Sequence, residues 1–146
     1  MTAEVTRNPL ALESQVCFAV TLASRSIVAA YRSVLEPLQL THPQYLVMLA
    51  LWEHAPLSVK SIGALLHLDP GTLSPMLKRL ESLGYLQRER DLADERSLAV
   101  VLTESGAALR KEAEQIPGIM MEKLGMDEAE LIALHASMMK LIEAAR

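Results

Sequence analysis

One stretch of the chain, residues 58–103, constrains the fold more than any other. It opens with a short apolar segment that ends in the turn 68–71, whose sequence is Leu-Asp-Pro-Gly. In the segment that follows, apolar residues recur at three- and four-residue steps, the spacing of one helix face. These residues are Leu73, Met76, Leu77, Leu80 and Leu83. Gly84 then stands where a left-handed helix cap is needed, so the pattern predicts two helices joined by a tight turn.

Two strand-length runs come next, residues 85–90 and 97–102, joined by the polar turn 91–96. In the second run Leu98, Val100 and Leu102 alternate, as they do on one face of a strand. Two helices followed by a charged hairpin predict a winged helix-turn-helix, which is an architecture that reads DNA. Because trihelical units also occur in proteins that never meet DNA, a unit used only for packing remains the alternative.

The second helix turns its leucines inward, so its other side presents hydroxyls and cations that can reach bases and phosphates. The candidate DNA contacts on this helix are Thr72, Ser74, Pro75, Lys78 and Arg79. We predict Thr72 as the N-cap, which places Pro75 in the first turn, where proline is tolerated. Backbone N–H groups at this helix start would then face outward and suit a phosphate.

The hairpin supplies three further candidate DNA contacts, which are Arg88, Asp94 and Arg96. Arg96 ends the polar turn, and an arginine at a wing tip suits a narrow minor groove. We predict that Asp94 orients an arginine and that Arg96 reaches the DNA. The alternative is that Asp94 and Arg96 form a structural ion pair within the wing.

Composition fits one domain but raises an objection to DNA binding. The chain has 146 residues, of which 51% are hydrophobic and 22% charged, so it has ample core and is not expected to be disordered. Aromatic residues make up only 3%, which favours an aliphatic, helical core. The formal net charge is −4, yet residues 55–101 hold six basic and six acidic residues, so the acidic excess lies elsewhere. DNA binding would therefore depend on local placement of cations.

Nothing in the sequence predicts export, a membrane span, a metal or a cofactor. The N-terminus lacks a basic segment followed by an apolar run, and the longest apolar run, residues 45–52, is too short to span a bilayer. One cysteine cannot form an internal disulfide, which fits the reducing cytoplasm. His54, His67 and His135 lack metal-ligand spacing, and we interpret them as surface or structural residues.

The N-terminal part predicts two helices before the reading unit. The first runs over about residues 10–36 and would be roughly 40 Å long, too long for a small domain to bury alone. The second is apolar on nearly all sides and is expected at the centre of the core. It opens with a capping box formed by Thr41 and Gln44, with Pro43 in its first turn.

The C-terminal part predicts two further amphipathic helices. Thr103 caps the first, which Pro117 within residues 116–118 must kink or interrupt. Asp127 and Glu130 form a second capping box at the start of the last helix. Pairing the terminal helices between two chains would bury their apolar stripes, and a two-fold dimer would match a pseudo-palindromic DNA site. Packing within one chain is the alternative.

Several motifs then resemble one family across the whole chain. Residues 90–97 (RDLADERS) are similar to the wing signature of the MarR-type winged-helix regulators. Residues 15–19, 30–32, 40–45 and 71–81 resemble the organic-hydroperoxide-responsive repressors within that family. The resemblance implies one domain over residues 1–146. Residues 8–40 and 104–146 would be dimerisation helices and residues 55–103 the winged helix-turn-helix. It also implies a cytoplasmic, homodimeric repressor of double-stranded operator DNA.

The resemblance further implies that Cys17 senses organic hydroperoxides. Oxidation would give a sulfenic acid, and a small cellular thiol would then form a mixed disulfide, because the chain has no second cysteine. Family tyrosines from the partner subunit activate this cysteine, and Tyr31 matches one of them. His42 stands at the other position, where a histidine can donate a hydrogen bond and, if protonated, would favour the thiolate more strongly than a neutral phenol. The alternatives are that Tyr45 takes over this role or that the site is degraded. Cys17 and Tyr31 are about 21 Å apart on one helix, so only a second chain could bring them together.

Three alternatives remain at this point. Cys17 on an apolar helix face could be a small buried hydrophobic residue. The regulator could instead be released by a bound phenolic ligand, in which case release would not need Cys17. A thiol peroxidase is the enzymatic alternative. We do not expect it, because Cys17 should lie turns inside its helix, away from the helix N-terminus that would activate it.

Overall fold

A computed structural model describes residues 8–90 and 98–146 of the chain. Its helices are α1 (Val16–Leu35), α2 (His42–His54), α3 (Val59–Leu66), α4 (Pro70–Ser82), α5 (Glu104–Ala113), α6 (Ile116–Leu124) and α7 (Glu128–Ala144). Its strands are β1 (Leu57–Ser58), β2 (Leu86–Arg90) and β3 (Leu98–Leu102). This order is the mainly helical, winged helix-turn-helix architecture with flanking terminal helices that the sequence predicts.

The winged unit joins α3 and α4 to a small antiparallel sheet. His67 (φ 55°) ends α3 in the left-handed region, and Gly84 (φ 82°) does the same after α4, which confirms the predicted stop at Gly84. Strand β2 pairs with β3 from Leu86 opposite Leu102 to Arg90 opposite Leu98. The strand order is β1-β3-β2, so β2 lies at an edge of this sheet. The sequence did not predict β1, because two residues are too few to carry an alternating pattern.

Helix α4 begins earlier than predicted, and this corrects the assignment of Thr72 as its N-cap. Asp69 is the N-cap: its Oδ1 accepts from the Thr72 amide at 2.8 Å. Pro70 takes the first helical position, which suits a residue without an N–H. Pro75 therefore lies inside the helix, not in its first turn. The carbonyl that Pro75 leaves without a helical partner belongs to Gly71, which is exposed and can be hydrated.

Helix α2 lies at the centre of the core, as its apolar sequence predicts. The predicted capping box between Thr41 and Gln44 is present at its start. Five of its apolar residues are buried, and these are Tyr45, Val47, Met48, Ala50 and Leu51. Trp52 donates from Nε1 to the Gly106 carbonyl at 2.9 Å, which fastens α2 to α5. At Gly106 a Cβ would lie 1.9 Å from the Tyr85 carbonyl oxygen, so only glycine allows α5 to approach the backbone just before β2 this closely.

Helix α1 begins at Val16, six residues after the predicted start near residue 10. The segment before it forms a turn and a short 3-10 helix, Leu12–Ser14, and Gln15 is extended. The Gln15 side chain causes this break, because its Nε2 donates back to the Pro9 carbonyl at 2.9 Å and the Ala11 carbonyl at 3.0 Å. These bonds hold the preceding segment in a turn that a continuous helix could not keep.

The C-terminal helices begin and end close to the predicted positions. A break at residues 114–115 separates α5 from α6, and the Asp127–Glu130 capping box opens α7. Lys123 of α6 donates from Nζ to the Ala30 carbonyl at 3.0 Å and to Ser33 Oγ at 2.9 Å, which ties α6 to α1.

The two long terminal helices are mostly exposed within one chain. Helix α7 has no buried residue, and α1 buries only Leu35. Their exposed large apolar side chains are Val16, Leu22, Ile132, Leu134, Met139, Leu141 and Ile142. Within residues 8–90 and 98–146, no helix combines the length and apolarity that a bilayer crossing needs. An apolar surface of this extent on helices is typical of a subunit interface.

Candidate DNA interface and redox site

Helix α4 presents the polar outer face that the sequence predicts. Leu73, Leu77 and Leu80 are buried beneath it. The five predicted DNA contacts of this helix, Thr72, Ser74, Pro75, Lys78 and Arg79, are all exposed. At 100° per residue, Pro75 and Lys78 point furthest from the core, while Thr72 and Arg79 lie on one flank and Ser74 on the other.

The start of α4 differs electrostatically from the bare anion site that the sequence suggested. Asp69 accepts from the Thr72 amide, and Thr72 Oγ1 donates to Asp69 Oδ2 at 3.1 Å. These hydrogen bonds lower the pKa of Asp69 below its usual value, so the carboxylate is charged at neutral pH. An anion already occupies this helix N-terminus, so phosphate contacts are better placed further along, at Lys78.

Arg79 faces a different surface from Ser74. It lines a groove of about 940 Å³ together with Arg32 of α1 and Thr41 at the start of α2. Ser74 lines a second groove, of about 790 Å³, between α4 and the hairpin, together with Lys60, Arg88 and Leu98. The two flanks of α4 therefore border two separate cationic grooves.

Arg88 of β2 is held by a residue that the sequence analysis did not single out. Its Nε donates to Glu81 Oε2 of α4 at 2.9 Å. The two residues are seven apart and belong to a helix and a strand, so no single periodicity relates them. The other predicted wing contacts, Asp94 and Arg96, lie outside the described residues.

Cys17 lies in the first turn of α1, which corrects the expectation that it would sit turns inside a helix. Within one chain it is exposed. Because Gln15 uses its side chain elsewhere, no side chain caps this helix start. Cys17 is therefore close in the chain to the first, uncapped N–H groups of α1.

Tyr31, His42 and Tyr45 come together where α1 meets α2, and we call these three residues the aromatic cluster. The ring centroids of Tyr31 and His42 are 4.9 Å apart, and those of Tyr31 and Tyr45 are 5.7 Å apart. Cys17 and Tyr31 share the continuous helix α1, so within one chain the thiol stays about 21 Å along the axis from Tyr31. The structure thus unites three of the four predicted redox residues and separates the fourth.

Burial keeps the aromatic cluster uncharged. It raises the pKa of Tyr31 and of Tyr45, the latter also through the proximity of Tyr31, so both phenols stay protonated at neutral pH. Burial lowers the pKa of His42, so a neutral imidazole prevails there. This argues against a protonated His42 as activator, since its positive charge would have to be desolvated. Each ring can still donate one hydrogen bond.

The lowered pKa of His42 gives stability a defined pH dependence. The unfolded chain binds a proton at His42 near pH 6.5, whereas the folded chain binds it only at lower pH. The contribution of His42 to the free energy of unfolding is therefore present above pH 6.5, and it is lost as the pH falls below that value. We expect wild-type protein to lose stability relative to His42→Gln as pH falls from 8 to 5, in urea unfolding at fixed protomer concentration. His135→Gln, at an exposed histidine, is the control. A difference between wild type and His42→Gln that is independent of pH would contradict this expectation.

Comparison with known proteins identifies the class. The family described as transcriptional regulator SarA/Rot matches residues 29–113. The organic hydroperoxide resistance transcriptional regulator of Bacillus subtilis is 43% identical over 132 residues, which cover 90% of each chain. Crystallised AbfR of Staphylococcus epidermidis is 37% identical, covering 90% of this chain and 94% of that one, with a TM-score of 0.72. Reduced AbfR bound to DNA is 32% identical, covering 92% and 96%, with a TM-score of 0.75.

These relatives are transcriptional regulators and not enzymes. The chain therefore belongs to the MarR-type winged helix-turn-helix transcriptional regulators, as its motifs predicted. Within that class it belongs with the organic-hydroperoxide-responsive regulators, as a chain with a single cysteine.

Proposed function

We propose that the protein is a homodimeric repressor that binds pseudo-palindromic operator DNA and leaves it when an organic hydroperoxide oxidises Cys17. The main support for DNA binding is the polar face of α4, which is exposed on the side opposite its buried leucines. The structure of reduced AbfR, which resembles this chain over nearly its whole length, was solved with AbfR bound to DNA. Such a repressor would act on DNA in the cytoplasm.

The reading helices of two copies would enter successive major grooves. Thr72, Ser74, Pro75 and Lys78 would face the groove from α4, and Arg79 and Arg88 would flank them. Asp94 and Arg96 belong to this proposal on sequence grounds alone: Arg96 would enter the minor groove, and Asp94 would orient an arginine. Net acidity elsewhere on the chain does not oppose binding, because charges beyond the Debye length of about 8 Å are largely screened at physiological salt.

Dimerisation would cover the exposed faces of α1 and α7 and would also complete the redox site. A continuous helix keeps Cys17 away from Tyr31 of its own chain, so the aromatic cluster is accessible only to Cys17 of a second copy. An antiparallel approach of the two α1 helices would place each thiol against the other chain's cluster. Neutral donors on Tyr31, His42 and Tyr45 could then hydrogen-bond the thiolate.

The proposed chemistry has two balanced steps. The Cys17 thiolate attacks the terminal oxygen of the hydroperoxide, the O–O bond breaks, and the alkoxide takes a proton and leaves as an alcohol. The cysteine is thereby oxidised to sulfenic acid. A small cellular thiol then attacks the sulfenic sulfur, a mixed disulfide forms, and water leaves. The bulk added at Cys17 would shift the dimer away from the spacing that the operator requires.

Lys78→Ala tests the DNA interface directly. We expect weaker binding to every duplex and a salt dependence whose slope falls by about 2 per dimer, one phosphate contact for each copy. The measurement is fluorescence anisotropy of labelled DNA from upstream of the protein's own gene, across a range of salt concentrations. Lys140→Ala, an exposed lysine on α7, is the matched control and should keep the wild-type slope. Equal slopes for Lys78→Ala and wild type would remove Lys78 from the interface.

A further inference from the structure

The start of β2 packs against α4 through the buried Leu80 and Leu86, but a groove separates the rest of the reading helix from the hairpin. The groove of about 790 Å³ opens between α3, α4 and the hairpin, with Ser74 on one side and Leu98 on the other. Strand β2 is the edge of its sheet and is hydrogen-bonded there to β3 alone among the strands. The buried Leu86 anchors the start of β2, and beyond it the direction of β2 relative to α4 depends on the side chains that span the junction between them.

Among the described residues, one ion pair spans that junction. Glu81 lies in the last turn of α4, and Arg88 lies on β2 two residues after the fully buried Leu86. The Arg88 side chain is 27% exposed and that of Glu81 is 41% exposed, so the pair is partly shielded from water. The contact from Nε to Oε2 is 2.9 Å, the length of a charge-assisted hydrogen bond.

A glutamate on a reading helix needs an explanation. Its charge repels DNA phosphates and, unpaired, would weaken all DNA binding. Paired with Arg88, it is neutralised and fixes one edge of the guanidinium. A guanidinium held through Nε can still present its two Nη groups to a phosphate or a base edge.

We propose that Glu81 is a positioning residue for the DNA interface, acting through Arg88. By holding Arg88 it sets the angle between β2 and α4, so that helix and wing engage one operator together. The proposal rests on the proposed DNA-binding function and assigns a specificity role to a residue that does not itself contact DNA. Its main effect is on the difference between operator and random DNA, since partly exposed ion pairs add little to folding stability.

The test compares Glu81→Gln with Glu122→Gln, which removes the same charge from an exposed site on α6. Binding to operator and to random duplex is measured by anisotropy at one salt concentration. For Glu81→Gln we expect the ratio of operator affinity to random-duplex affinity to fall about fivefold. Random-duplex affinity itself should stay the same or rise, because a negative charge is gone. An unchanged ratio would overturn the proposal and leave Glu81 a merely repulsive charge.

A double-mutant cycle adds a readout that a purely structural defect would not give. If Glu81 acts through Arg88, Glu81→Gln should hardly change the operator-to-random ratio of a variant that already carries Arg88→Ala. Unfolding free energies are measured in parallel. A loss of the ratio in the Arg88→Ala variant as large as in wild type would contradict a positioning role through Arg88.

Amide hydrogen exchange without DNA separates this proposal from the proposed function. If the pair braces the wing, amides of β2 and β3 exchange faster in Glu81→Gln than in Glu122→Gln. Unchanged exchange in these strands would overturn the positioning role of the Glu81–Arg88 pair even if the protein binds DNA as proposed. Faster exchange in a protein that binds no operator would support that role and refute the DNA-binding function.

Discussion

Cys17→Ser should leave the protein bound to its operator in the presence of organic hydroperoxide. In wild-type protein, oxidation followed by mixed-disulfide formation should weaken operator affinity by about 10- to 100-fold, the usual range of coupling between two sites. Serine keeps the size and the first-turn position of the residue but cannot be oxidised to a sulfenic acid. Operator affinity of reduced wild type and of Cys17→Ser should therefore agree. The measurement is anisotropy before and after addition of cumene hydroperoxide and a small thiol.

A relocated thiol provides the matched control for this prediction. In the double variant Cys17→Ser with Ser24→Cys, one exposed thiol remains on α1 but stands two turns away from the helix start. We expect this variant to resist release as well, because its thiol has neither the helix N-terminus nor the aromatic cluster of a second copy. If peroxide released Cys17→Ser from DNA as readily as wild type, Cys17 would not be the sensor. Oxidation of a methionine would then be the first alternative to test.

Charged substitutions on the apolar face of α7 should abolish the dimer and operator binding with it. Leu134 and Leu141 lie on that face, with side chains 45% and 38% exposed in one chain. Burying a leucine contributes about 2 kcal/mol, and a two-fold interface counts each substitution twice. We expect Leu134→Glu with Leu141→Glu to raise the dimer dissociation constant about a thousandfold or more. Sedimentation velocity and anisotropy measure the two losses.

Ala133→Glu with Ala136→Glu adds the same charge to the opposite side of α7. Both alanines are exposed, so this variant should dimerise and bind operator nearly as wild type does. If both pairs of substitutions left sedimentation unchanged, the exposed apolar face would not be a subunit interface. The chain would then have to expose this surface for another reason.

The sequence predicted the structure correctly wherever a feature depends only on residues close together in the chain. The capping boxes at Thr41 and Asp127 and the left-handed stop at Gly84 all lie where predicted, because each depends on residues within one turn. The leucine stripe of α4 is buried for the same reason, since one period fixes one face.

The sequence failed where two local signals competed. Asp69 and Thr72 are both good N-caps, and each is followed by a proline within three residues. Asp69 is the cap because its carboxylate accepts both from the Thr72 amide and from the Thr72 hydroxyl. Apolar spacing likewise predicted a helix through residues 10–15, but the Gln15 side chain bonds backward and α1 begins only at Val16. Those few hydrogen bonds also move Cys17 into a first turn.

Contacts between distant residues could not be predicted from one sequence. Trp52 binds the carbonyl of Gly106, and Arg88 binds Glu81 across a helix–strand junction. The aromatic cluster is similar: its three members carry no spacing signal, and only their resemblance to a family grouped them. Burial of His42, which makes the neutral imidazole dominant, is likewise a property of the packed fold.

The central claim is that one protein both binds its operator and releases it when Cys17 is oxidised. The most direct test titrates wild-type protein into labelled DNA from upstream of its own gene, with and without cumene hydroperoxide plus a small thiol. We expect tight binding that oxidation weakens at least about tenfold, with one mixed disulfide per chain by intact mass. Tight binding that peroxide leaves intact would contradict redox sensing and point to a small-molecule inducer. No binding even at low salt would contradict operator binding itself.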